Sequence, residues 1–207
     1  MDRKRNGPQH KSGRSETCDR YFEDENMTDE TLREALRRRT RPEHERVDAL
    51  FGRFDLRHAL DCIHFMAANH AAYDVLVKEG VSQAEPVRDA LASDLETLGH
   101  HPQITVPSLG FLPHPDAASY VILGAQLGTQ VLRRLWVTSA VPAVRKADSY
   151  FGRDHNPRLW RTFCQRLSQL PADDILPRII IDDTRLIFAL FEAAAAEAVT
   201  QLEAELA

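Results

Sequence analysis

From about residue 30 onward, apolar positions return every three or four residues, the period of a helix with one buried face. In "TLREALRRRTRPEHERVDALF", Leu36, Thr40, His44, Val47 and Phe51 share a face. That pattern predicts a first helix capped by Thr28 or Asp29 and running to about Phe51. Pro42 in its middle has no amide proton, so it bends this helix or breaks it into two pieces. A second helix is predicted over about 56–79, ended by Gly80, and a third over about 83–98, closed by Gly99. "GHHPQITVPSLGFLPHP" is rich in proline and reads as a long loop. A further helix follows from about Asp116 to Trp136, then an irregular stretch over 137–156 with room for one short helix. Pro157 can open the helix "PRLWRTFCQRLSQL", and the last helix runs from about Asp173 through "FEAAAAEAVTQLEAEL". Strand-like alternation never lasts more than a few positions, so the expected architecture is an all-α multi-helix bundle.

The first 29 residues lack this periodicity and are rich in charge, which predicts a disordered tail before a single helical domain over 30–207. A chain of 207 residues with 43% apolar and 28% charged residues has enough apolar material for one sizeable core. The net charge of −5 removes any global pull toward nucleic acid. Cys18, Cys62 and Cys164 are scattered and odd in number, which argues against a disulfide framework and suits a reducing, cytoplasmic setting. No apolar run approaches the roughly 20 residues of a membrane span.

Two positions depart from the ordinary pattern. In "SYVILGAQLGTQVLRRLW" (119–136), Gly124 and Gly128 each cost the helix roughly 1 kcal/mol relative to alanine. At 100° per residue they fall with Ala117, Val121, Val131 and Leu135, opposite Ser119, Gln126, Gln130 and Arg133. Glycines on the inward stripe imply a close neighbour, either another helix or a flat ligand lying on bare backbone. His44 likewise sits on an apolar face, where a histidine either packs in the core against a backbone carbonyl or ligates a metal. Arg33, Arg37, Arg38, Arg39, Arg41 and Arg46 make its helix strongly basic in an acidic chain. On an unbroken helix Arg37 lies two turns before His44, roughly 10 Å along the axis, close enough to pair with a carboxylate on the edge of a ligand whose metal sits at His44.

Together, "LREALRRRTRPEHERVDALFGRFDL" and "YVILGAQLGTQVL", with "PRLWRTF" in support, resemble the heme oxygenase family, most closely its bacteriophytochrome-associated bacterial branch. The resemblance spans about 31–195. It implies a heme-oxygenase-like bundle in which His44 is the proximal ligand of heme iron. It also implies that Gly124 and Gly128 let the distal helix lie close over the heme face and bend bound oxygen toward one meso edge. Arg37, Arg158 and Arg161 become candidates to hold the propionates. The implied reaction is O2- and reductant-dependent opening of heme to biliverdin, CO and Fe2+, with heme as both cofactor and substrate. The implied partners are an external electron donor, of ferredoxin, flavodoxin or reductase type, and a bacteriophytochrome as biliverdin acceptor. The chain departs from the family at Ala125, where members carry serine or aspartate, at Leu123 in place of a glutamate, and at Gln165, near which some members place a propionate-binding arginine.

Two other readings compete. Helical diiron oxidases require Glu-x-x-His pairs, and the chain has none; Asp61 and His64 make an Asp-x-x-His pair. A non-enzymatic heme-binding, sensing or interaction protein of the same fold is the other. His58, His64 and His70 recur every six residues, which does not hold one helix face, so they are not expected to form a metal cluster. His100 and His101 fall in the proline-rich loop and are expected at the surface.

Overall fold

The computed structural model describes residues 30–154 and 156–207; the expected tail over 1–29 lies outside the described residues. The elements are α1 (Leu32–Arg39), α2 (Arg41–Phe51), α3 (Ala59–Lys78), a 3₁₀ turn (Ser82–Ala84), α4 (Glu85–Leu98), α5 (Pro115–Trp136), α6 (Pro142–Lys146), α7 (Pro157–Leu167) and α8 (Ile175–Leu206). Among the described residues no strand forms, and the β-type pairing is an isolated bridge between Thr31 and Pro171. The chain is all-α. No described helix is long and apolar enough to cross a membrane.

The first helix begins at Thr31 rather than at Thr28 or Asp29. Glu34 stands three residues after Thr31 and closes a capping box: the Glu34 amide donates to Thr31 Oγ1 at 3.3 Å, and the Thr31 amide donates back to Glu34 Oε2 at 2.9 Å. The expected break falls at Thr40, ahead of Pro42, which sits in the first turn of α2 where its missing N–H costs nothing. Thr40 Oγ1 donates to Leu36 O at 2.8 Å, giving the end of α1 a second bond where the chain changes direction. At the end of α4, Gly99 takes φ +71°, the left-handed cap that L side chains resist.

The 32-residue α8 is the spine. Helices α1, α2, α3 and α5 all pack on it, and α3 also packs on α4. The buried apolar residues, from Leu32 to Leu202, form one contact cluster that includes Leu36, Phe65, Met66, Tyr73, Leu91 and Ile180. Each fully buried side chain of this size contributes about 1.5–3 kcal/mol by leaving water. In the irregular stretch after α5, Trp136 donates to Val144 O at 2.9 Å and stacks on Phe151, with ring centres 5.2 Å apart. Buried Asp94 on α4 accepts the amides of Ser149 and Tyr150, both at 2.8 Å, which anchors this stretch and aims Tyr150 inward.

Outside this core, α2 has no buried residue. Val47 and Phe51 pack it against the core, and two ion pairs tie it to α8: Arg46 donates to Glu192 at 3.0 Å, and Arg185 reaches back to Glu43 at 3.2 Å. The α5 stripe is rotated from the sequence expectation. Ala117, Ala118, Val121, Ile122, Thr129 and Trp136 are buried, whereas Val131 and Leu135 are exposed. This helix is apolar around much of its circumference, so periodicity alone gives its inward direction poorly.

Candidate functional site

Both α2 and α5 pack against α8, and between them lies a cavity of about 390 Å³. That size is ordinary for a small-molecule site. Its walls are mostly apolar. Val47 and Phe51 come from α2, Phe188 and Phe191 from α8, and Trp160 from α7. The inner end is polar. Thr129 Oγ1 donates to Ala125 O at 3.0 Å, so the 3.1 Å contact with Tyr150 is a phenol proton given to Thr129. Burial pushes the Tyr150 hydroxyl above its ordinary range, so it stays a neutral donor. Asn69, nearly buried beside them, donates to Phe65 O at 2.8 Å.

His44 borders this cavity. Val47 and Phe51 of its helix pack on the core while lining the cavity, but His44 does not face inward as expected: its side chain keeps 56% of its exposure. Its ring stands edge-on to Phe188 at 5.4 Å, and Nδ1 lies 3.0 Å from Asp48 Oδ2, one turn further along α2. The Asp48 carboxylate beside Nδ1 favours the tautomer with its proton there, which leaves Nε2 its lone pair. A carboxylate behind the imidazole is the usual support of a ligating histidine. Asp48 went unnoticed in the sequence, although its i,i+4 spacing from His44 was legible.

Gly124, Ala125 and Gly128 of α5 border the same cavity. A Cβ built on Gly124 would lie 3.7 Å from the Trp160 ring, an ordinary contact, and one built on Gly128 meets nothing within 4 Å. No neighbouring helix presses on Gly128, which disposes of helix packing as the reason for that glycine. Gly128 is exposed and Gly124 only partly buried, so the expected inward position does not hold for Gly128, which sits at the open rim of the cavity.

The arginines divide. Arg38 and Arg39 pair with Glu30, Arg41 with Glu45, and Arg46 with Glu192. Among the described residues no carboxylate pairs with Arg33, Arg37, Arg158 or Arg161. Arg37 belongs to α1 and His44 to α2, so the break at Thr40 removes their expected alignment along one helix. Arg37 still acts on the cavity's edge: burial pushes the Tyr120 hydroxyl up, and Arg37 and Arg33 pull it back. Arg161 lines a neighbouring cleft with Arg33 and Gln165, divided from the cavity by Trp160 and Leu127, which border both. Arg158 is exposed on the first turn of α7 and borders neither space. In "PRLWRTF" the residue that reaches the cavity is Trp160. Leu123 lines a third recess beside α7 and does not border the cavity.

Comparisons with protein-family patterns, with curated proteins and with solved structures return no match.

Proposed function

We propose that this protein is a heme oxygenase, holding heme in the cavity between α2 and α5 and opening it, with O2 and an external reductant, to biliverdin, CO and Fe2+. The observation that carries the reading is a carboxylate-backed histidine on one wall of a cavity whose other wall is glycine backbone facing open space. Bound there, heme supplies the redox iron and is itself the ring that is cleaved.

Each residue then has a physical task. Asp48, 3.0 Å from His44 Nδ1, favours the proton on that nitrogen and leaves Nε2 as the donor atom. Phe188 meets the imidazole edge-on and, with Phe191 and Trp160, gives the cavity its apolar lining. Gly128 leaves room for a flat ligand to approach α5, which any larger side chain would reduce. Arg33 and Arg37, which act on Tyr120 at the cavity's edge and among the described residues pair with no carboxylate, suit carboxylates on the ligand's edge, whereas Arg161 lies in the neighbouring cleft. Thr129 and Tyr150 offer hydroxyls one turn beyond Ala125, where the family's polar group is missing.

The same alanine favours a second reading, a heme-binding protein that does not turn over. Incubating the full chain with hemin, O2 and an electron donor separates the two. The expected result is decay of the Soret band with growth of biliverdin absorbance and release of CO. A stable Soret band would leave heme binding without catalysis, and no band would remove both.

A further inference from the structure

Along α3, His58, His64 and His70 do not share a face, so this helix alone gathers no cluster. Folding instead brings His64 to two groups far away in the chain. Its Nε2 lies 3.2 Å from Glu205 Oε1 in the last turn of α8, and His100 Nε2 lies 3.7 Å from that same oxygen. The two imidazole rings are 6.4 Å apart, and one donor atom from each of the three residues lies within 4.8 Å of the others. The surface position expected for His100 holds, since it is half exposed, while His64 is completely buried.

We infer that His64, His100 and Glu205 form a binding site for a divalent transition metal of the zinc class. Zinc binds imidazole nitrogen and carboxylate oxygen at about 2.0–2.2 Å, so the donors of a tetrahedral site stand about 3.4 Å apart. The two edges at Glu205, 3.2 and 3.7 Å, bracket that value. The third closes by rotation of His100, whose side chain is free to move at the surface. The donor set of two imidazoles and one carboxylate suits zinc rather than magnesium or calcium, which select oxygen. Burial fixes the first ligand and the other two are half open, so a fourth position faces water, as in zinc sites with three protein ligands.

None of the three residues borders the cavity between α2 and α5, so the site stands independently of the heme reading. Its position suggests its effect. It ties the loop that begins after α4, and that leads into α5, to the second turn of α3 and the end of α8. A metal bound only by the folded chain stabilises it by mass action.

The test uses the full chain, stripped with a chelator and free of heme, titrated with Zn2+ against a competing indicator and separately with Co2+. The expected result is one tightly held Zn2+ per chain and visible Co2+ bands of four-coordinate intensity. His100→Ala and Glu205→Gln change half-exposed groups, so these variants fold. Each should weaken zinc at least about tenfold and abolish the Co2+ bands, as losing one ligand of three requires. His58→Ala, at the start of the same helix, should leave binding intact. Zinc should raise the melting temperature of the native chain and not that of the two ligand variants. Absence of a stoichiometric site, or unchanged affinity in both ligand variants, would overturn the proposal.

Discussion

Asp48 stands 3.0 Å from His44 Nδ1 without entering the core, so its removal changes the surroundings of the imidazole and little else. Asp48→Ala is expected to lower hemin affinity about 10- to 100-fold, the usual cost of losing the carboxylate behind a metal-bound histidine. It should also move the iron–histidine stretching band of the reduced complex to lower frequency. A purely structural role would leave that band in place. At the same scale, His70 on α3 shows what burial does to a titrating group. Its pKa is lowered, first by burial and then by His101, whose ring stands 5.1 Å away, and by Arg88, against the opposing pull of Asp74 and Asp89. Below its ordinary value, near pH 6.5, the unfolded chain takes up a proton that the folded chain refuses. Stability contributed by neutral His70 is therefore present above that pH and lost as pH falls through it. Urea midpoints at neutral and mildly acidic pH, in chelator, should show a smaller acid loss for His70→Gln than for the native chain. An equal loss in both would remove the assignment.

At the level of elements, α5 carries the clearest contrast between stability and binding. Gly124 and Gly128 each weaken the helix by about 1 kcal/mol, and neither is forced by a protein neighbour. Gly124→Ala should therefore stabilise the chain by up to about 1 kcal/mol in denaturant unfolding while leaving hemin binding close to native. Gly128→Leu should keep the fold and weaken hemin binding about tenfold or more, because the added side chain narrows the rim of the cavity that Gly128 borders. Native affinity in Gly128→Leu would argue that the bare backbone serves no ligand. Much of the helix pattern was legible in the sequence. The proline break, the Gly99 cap and the span of α5 follow from local chemistry. The start at Thr31 was legible too, through Glu34 three residues later. The alignment of Arg37 with His44 was not, because it assumed an unbroken helix and the turn at Thr40 redirects α1. Nor could periodicity place Val131 and Leu135, since α5 has apolar positions on its exposed side as well.

Across the whole molecule, the site is an effect of what α8 holds apart. Helices α2 and α5 both lean on this spine, and the gap left between them is closed at its inner end by Tyr150, which Asp94 on α4 anchors through the backbone. His44, Gly124 and Gly128 could be singled out from sequence because each breaks a local rule: a polar residue on an apolar face, and two glycines inside a helix. Asn69, Tyr150, Trp160 and Phe188 break none. They enter the site through long-range packing, which local patterns do not encode. The most direct measurement is an optical titration of the native chain and of His44→Ala with hemin, compared at saturation. The native chain should bind one heme with the Soret and visible bands of a histidine-ligated complex, and His44→Ala should lose that spectrum and its affinity. Identical spectra and affinities in the two proteins would contradict ligation by His44 and, with it, the catalytic reading of the cavity.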